Sequence, residues 1–239
     1  MSHPFIESLL TAERPLVMEV KRRDAHGFDL IAGHTPAEIV TAYEKAGAPC
    51  ISVVTGRWFG GTHELLRDVA RLTELPLLQK DFITRSQQLH TARELGASAV
   101  LLTAGLLPAS ALRTLVTAAL RTGLTPFVEV TTEAEIAVVP HADECVIAVN
   151  NKDIKTKERD RGNLTRSFDL LPALIASGTP CPVSASAIDT PQAAARLLDA
   201  GFGGLLVGTA LLRSGERDAW LTTLDGSRTT ARTVLNTVA

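Results

Sequence analysis

Short apolar runs of strand length recur along the chain at residues 16–20, 51–54, 77–79, 99–102, 127–130, 145–149, 182–184 and 205–207. They are rich in Val, Ile and Leu, the pattern of parallel strands covered on both faces. Between and after them lie segments of helical composition at 36–46, 63–72, 86–95, 109–122, 133–137, 168–177, 190–200 and 216–224. Gly47, Gly96, Gly123, Gly178 and Gly201 follow helix-like runs where a left-handed C-cap is favoured. Thr35-Pro36 and Thr190-Pro191 each set a capping hydroxyl before a proline suited to the first helical turn. Eight strand-then-helix units predict an α/β protein, a single (β/α)₈ TIM barrel, because right-handed crossovers close such a series into a ring. The alternative is a doubly wound open sheet. Against it, no dinucleotide glycine fingerprint follows the first run, and Gly203-Gly204 precedes a strand instead of opening a helix.

Polar residues interrupt this pattern near the ends of several runs. Pro76-Leu-Leu-Gln-Lys-Asp-Phe-Ile83 ends an apolar run with Lys80 and Asp81, Leu16-Val-Met-Glu-Val-Lys21 interleaves Glu19 and Lys21, and Pro126-Phe-Val-Glu-Val130 carries Glu129. Val146-Ile-Ala-Val-Asn150 finishes on an amide, and Ser186 comes just after the seventh run. A buried ammonium keeps its charge only where an opposite charge answers it. In a parallel barrel the C-terminal strand ends form the active-site face, so these groups are expected to converge at its mouth. Plainer alternatives exist for each: Glu19 with Lys21 as a stabilising pair on one strand face, Lys80 with Asp81 as a local pair, Asn150 with Asn151 as a strand terminator. The charges all fall at the same end of their strands, which favours a shared acid-base site handling protons on a carbonyl or amine substrate.

With 239 residues and 45% hydrophobic content, the chain is expected to form one domain, 1–239, with a short N-terminal segment (1–14) and a polar C-terminal tail (226–239) that adds an irregular or helical end. A net charge of -2 without a Lys/Arg block argues against nucleic acid as a main partner. No apolar run reaches the roughly 18 residues of a membrane span, and Met1-Ser-His-Pro-Phe-Ile lacks the regions of a signal peptide, so no membrane partner is expected and the expected location is cytoplasmic. Cys50, Cys145 and Cys181 are widely spaced and odd in number, which reads as buried reduced thiols and not as a metal site. Trp220 reads as core packing.

Together these residues carry a resemblance. Met18-Glu-Val-Lys-Arg22, Ile51-Ser-Val-Val-Thr-Gly-Arg-Trp-Phe-Gly-Gly61, Pro76 to Ile83, Phe127-Val-Glu-Val130, Ala148-Val-Asn-Asn-Lys-Asp153 and Leu206-Val-Gly-Thr209 are similar, in order and spacing, to motifs of the indole-3-glycerol phosphate synthase family of tryptophan biosynthesis. The likeness runs from about residue 15 to residue 215. It implies a decarboxylating, ring-closing lyase acting on 1-(2-carboxyphenylamino)-1-deoxyribulose 5-phosphate, an arylamino sugar phosphate, with no cofactor and no metal. The chain is then expected to be a monomer or weak oligomer. By the same resemblance Lys80 is the general acid at the ribulose carbonyl and Glu129 the proton-transferring carboxylate. Lys21 binds the substrate carboxylate or assists dehydration, and Glu19 and Asn150 orient them; the acid role stays open between Lys21 and Lys80. Phe59 and Phe82 are expected against the aromatic ring, and Lys152, Ser186, Gly208 and Thr209 at the substrate's other end.

Four departures set this chain apart. Lys21-Arg-Arg-Asp-Ala-His-Gly27 replaces the family's Ser-Pro-Ser stretch, putting Asp24 near the expected phosphate unless Arg22 or Arg23 offsets it. Ser184-Ala-Ser-Ala187 replaces Ser-Glu-Ser-Gly, so Ala185 lacks a carboxylate and Ala187 adds a Cβ where glycine lets phosphate approach backbone amides. Lys152 stands where arginine is common, a point charge without the bidentate fork. The N-terminus is short, leaving residues 4–11 as the segment expected to help cover the site. Three readings follow: the synthase itself, a paralogue using the same chemistry on a different arylamino ketose, with or without a phosphate, or a barrel that binds a metabolite or partner without turnover.

Overall fold

Each apolar run takes up extended backbone, and the eight strands pair edge to edge in parallel until the last meets the first. The computed structural model describes residues 3–31, 33–154, 159–213 and 217–238. In chain order the strands are β1 (Leu16–Val20), β2 (Cys50–Val54), β3 (Leu77–Lys80), β4 (Ala99–Thr103), β5 (Thr125–Val130), β6 (Val146–Asn150), β7 (Cys181–Ala185) and β8 (Gly204–Val207). Closure is made by β1 and β8, with Leu16 opposite Leu205 and Met18 opposite Val207. This is the expected barrel, and the open sheet is excluded.

Among the described residues, seven α-helices fill the crossovers between strands: α2 (Pro36–Lys45), α3 (His63–Ala70), α4 (Ser86–Glu94), α5 (Ala109–Arg121), α6 (Glu133–Ala137), α7 (Thr165–Ala176) and α8 (Pro191–Ala200). Their starts follow local chemistry. Thr35 accepts a hydrogen bond from the Glu38 N–H while the Glu38 carboxylate accepts from the Thr35 N–H, a complete capping box. Thr190 accepts from the Ala193 N–H ahead of Pro191. Because strand side chains alternate, one set packs outward against these helices and the other fills the barrel. Val17, Leu78, Leu101, Phe127, Val183 and Leu206 belong to the inner set. Continuing the same rows to the C-terminal strand ends brings Glu19, Lys80, Glu129 and Asn150 to the mouth.

The N-terminal helix α1 (Pro4–Thr11) corrects one expectation. It closes the opposite end of the barrel instead of covering the site. Phe5, Ile6 and Leu9 form its buried face and join the inner core. The Phe5 ring meets Phe127 edge-on at 6.2 Å, and the Cys50 thiol lies 3.5 Å from the Phe5 carbonyl. Gly204, at the start of β8, leaves room for the plug, since a Cβ there would stand 2.7 Å from Leu9 Cδ2. An amphipathic helix this apolar on one face needs a core to bury it, and the lower mouth of the barrel offers one.

Of the two ends expected for the C-terminal region, irregular or helical, the chain takes the helical one. A short helix, α9 (Thr209–Arg213), follows β8 directly, and α10 (Arg217–Val238) runs on through the expected polar tail. Trp220, Leu221 and Leu224 bury the inner face of α10, as expected for Trp220. The hydroxyl-rich stretch stays helical because Thr222, Thr223 and Ser227 donate to carbonyls four residues earlier. Arg14, just before β1, grips Asp225 of α10 with two guanidinium nitrogens at 2.6–3.0 Å. The three cysteines are free and buried, and burial pushes the Cys145 and Cys181 thiols up to about 12.

Candidate active site

Glu19 is the centre of the mouth. It is 2% exposed, and its two oxygens face two ammonium groups: Lys21 Nζ lies 3.3 Å from Oε1 and Lys80 Nζ 3.1 Å from Oε2. Burial pushes the Glu19 carboxyl up, but the charges of Lys80 and Lys21 outweigh it and hold the group below the usual carboxylate range. One carboxylate thus faces two cations. The Lys21 ammonium also lies 5.1 Å from the centre of the Phe59 ring, a cation–π contact. From behind, the Tyr43 hydroxyl of α2 donates to the Glu19 carbonyl at 2.9 Å, and Gly208 has no Cβ because one would collide with Glu19 Oε1. The ion pair on β1 and the two-lysine cluster at the mouth therefore share the same carboxylate.

Across the mouth, the Asn150 amide donates to Glu129 Oε1 at 3.0 Å, both residues being buried. Asn150 is itself fixed: its Oδ1 accepts from the Lys152 N–H at 2.9 Å, and Arg166 of α7 donates to the Asn150 carbonyl at 2.6 Å. Asp81, beside Lys80, is held locally, its carboxylate accepting from the Thr55 hydroxyl at 2.7 Å and from the Phe82 N–H at 2.8 Å.

Two chambers share this floor. A polar cleft of about 420 Å³ is lined by Lys21, Lys80, Lys152, Arg159, Arg161 and Arg213, together with Ser186, Gly208 and Thr209. Four carboxylates, Glu19, Asp24, Asp160 and Asp189, also line it, leaving cations in excess. The second chamber is a narrow apolar slot bounded by Phe59, Phe82, Leu101 and Glu129. Lys80 lines both. The candidate catalytic and substrate-binding residues thus lie at the mouth or one step behind it, whereas residues 4–11, expected to help cover it, lie at the other end.

One expectation about the cleft needs correcting. Arg22 and Arg23 do not answer Asp24; they line a separate depression with Asp29 and His34. The partner of Asp24 is Arg213 of α9, and the carboxylate also accepts from the His26 and Phe28 N–H groups at 2.9 and 3.0 Å. Asp24 is thus a buried loop anchor with its charge already answered. Ala187 does stand at a glycine-like position, with φ of 57°, next to Ser186 at 66°. The Cβ it adds fills the space that Gly162 leaves by having none.

A profile of the indole-3-glycerol phosphate synthase family matches residues 2–224. Curated relatives named indole-3-glycerol phosphate synthase include one from Thermococcus kodakarensis, 37% identical over 86% of this chain and 89% of its own. One from Pyrococcus furiosus is 36% identical over 84% of this chain and 87% of its own, and one from Ruminiclostridium cellulolyticum is 34% identical over 93% and 84%. The chain belongs to the indole-3-glycerol phosphate synthase family. It is accordingly an enzyme, a member of a lyase family of tryptophan biosynthesis. A solved chain from the tryptophan synthase a2b2 complex of Pyrococcus furiosus superposes with a TM-score of 0.64 at 14% identity, covering 88% of this chain and 97% of that one. At that identity it is a likeness of fold alone.

Within this synthase-family barrel, sequence reasoning missed Arg213, Arg159, Arg161 and Arg166. All four sit on loops or helices outside the apolar runs, where a lone arginine has no pattern to single it out.

Proposed function

We propose that the chain is a carboxy-lyase of the indole-3-glycerol phosphate synthase type, closing the pyrrole ring of 1-(2-carboxyphenylamino)-1-deoxyribulose 5-phosphate with loss of carbon dioxide and water. The observation that carries this reading is Lys80, held by Glu19 at the junction of a cationic cleft and an aromatic slot. A substrate with an aryl group at one end and a phosphate at the other spans such a junction with its carbonyl beside the ammonium. Phe59 and Phe82 receive the ring; Lys152, Ser186, Gly208 and Thr209 meet the phosphate end.

In the first step the ring carbon bearing the carboxylate bonds to the carbonyl carbon. The carbonyl electron pair moves to oxygen, which takes a proton from Lys80. An ammonium at that oxygen supplies both the proton and charge stabilisation, each worth several kcal/mol. The bond to the carboxylate then breaks, its electron pair returning to the ring as carbon dioxide leaves. In the last step the new hydroxyl departs as water with a proton from the lysine pair, and the neighbouring carbon gives its proton to Glu129. Lys21 holds the substrate carboxylate until it is lost, while Glu19 and Asn150 orient Lys80 and Glu129. The reaction uses a diffusible small molecule; with buried reduced thiols and no helix among the described residues long and apolar enough to cross a membrane, this suits the cytoplasm.

The test is turnover of the phosphorylated ketose by the purified protein, followed by indole fluorescence. Lys80→Ala and Glu129→Gln are each expected to lower kcat by at least about a hundredfold. No turnover by the wild type overturns the reading; near-normal rates in both variants remove these residues from the mechanism.

A further inference from the structure

Behind the mouth, between β6, β7 and α7, lies a buried polar cluster that the proposed chemistry does not use. Asn151 is fully buried, as are Ser167 and Ser184. The Asn151 Oδ1 accepts from the Ser167 hydroxyl at 2.8 Å, and the two serine hydroxyls lie 2.8 Å apart. The Asn151 amide nitrogen is shared among Ser184 Oγ at 3.0 Å, the Ala185 carbonyl at 3.0 Å and the Ser186 carbonyl at 3.2 Å. The Asn151 backbone N–H adds a second bond to the Ala185 carbonyl at 3.0 Å. A polar network of three side chains in an apolar wall is costly unless satisfied, and this one is aimed at a single target, the chain leaving β7.

That target has unusual backbone. Ser186 and Ala187 both adopt left-handed conformations, which cost roughly 1–2 kcal/mol for a non-glycine residue and need support from their surroundings. Asn151 supplies that support by drawing the carbonyls of residues 185 and 186 toward itself. In a trans peptide the N–H points opposite to the carbonyl. The N–H groups of Ser186 and Ala187 therefore turn away from Asn151, toward the side on which both residues line the cationic cleft. Consecutive amides presented this way form a concave donor pair suited to an anion.

We infer that Asn151 is a positioning residue: it holds the Ser186 and Ala187 amides toward the cleft, where they take the anionic end of the substrate, and it substitutes for the conformational freedom that glycine at 187 would give. Asn151 touches no substrate itself. The choice of phosphate as the anion rests on the proposed ring-closing function, whereas the aim of the two amides does not.

The experiment measures binding of inorganic phosphate by calorimetry, and kcat and KM for the phosphorylated ketose, in the wild type, Asn151→Ala, Ser184→Ala, Ala187→Gly and the double variant Asn151→Ala/Ala187→Gly. Loss of a hydrogen bond to a charged group weakens binding by about tenfold or more. Asn151→Ala is expected to raise the phosphate Kd and the KM about tenfold, with kcat within about threefold of wild type. Ser184→Ala, which removes one anchor of the amide, gives a smaller rise in the same direction and serves if Asn151→Ala does not fold. Glycine at 187 in the double variant recovers most of the lost affinity, a rescue that a merely structural role would not produce. Unchanged phosphate affinity in folded Asn151→Ala and Ser184→Ala, a fall in kcat at constant KM, or no rescue by glycine overturns the inference. Wild-type binding of phosphate without turnover of the ketose would overturn the proposed reaction and leave the amide positioning standing.

Discussion

Glu19 holds two lysines at once, and removing it would leave both ammonium groups at the mouth without their carboxylate, the kind of change that costs a protein several kcal/mol. The cluster is legible in the chain because Glu19, Lys80 and Glu129 each break an apolar run near its end. Asn151 is harder to read: beside Asn150 it passes for a strand terminator, and its role emerges only when Ser167 and Ser184, 16 and 33 positions on, fold against it. Ala187 is the complementary case, where the chain shows a departure and the backbone shows its strain. Ala187→Gly is expected to stabilise the fold by about 1 kcal/mol, raising Tm by roughly 2–4 °C, since the left-handed penalty on Cβ disappears. A thermal melt checks this, and a lowered Tm would mean that Cβ packing against Gly162 outweighs the strain.

The loop between β1 and α2 is tied to α9 by Asp24 and Arg213, 189 positions apart in the chain. No periodicity links such residues, which is why the sequence points instead to the adjacent arginines 22 and 23. Arg213 also stacks on Phe28, 5.5 Å from its ring centre, so one side chain anchors the loop twice. Burial pushes the Asp24 carboxyl up, but the Phe28 and His26 N–H groups and Arg213 outweigh it and hold the group below its ordinary value of 3.8. A lowered folded pKa means that the stabilisation is complete above about pH 3.8 and is lost as pH falls through the lower folded value. Asp24→Asn is therefore expected to cost about 1–2 kcal/mol at pH 7, with the gap to wild type closing toward pH 3. Parallel melts at the two pH values test this; an equal gap at both would show that the asparagine is tolerated or resisted for reasons of shape alone. Helix ends were less legible than strands: the chain left an irregular or a helical tail equally open, and α10 continues through it with its hydroxyls satisfied within the helix.

The barrel as a whole separates its two ends by task. Its N-terminal mouth is sealed by α1 through Phe5 and Leu9, and its C-terminal mouth carries the charges. The barrel was readable from eight apolar runs, but the plug was not, because an amphipathic octet fits either opening equally well on paper. Phe5→Ala is expected to destabilise by about 3–5 kcal/mol while leaving kcat and KM near wild type below the melting range. Denaturant unfolding and steady-state rates measure the two effects, and a large loss of turnover in the folded variant would deny the separation. At the charged end, the position of Lys80 on the wall between slot and cleft carries a lesson for ligand design. A small aromatic fragment and a small anion each engage only one side of that wall. Joined by a tether short enough to pass the ammonium, the second fragment docks at the raised effective concentration set by the first, so the conjugate should inhibit far more strongly than a mixture of its halves.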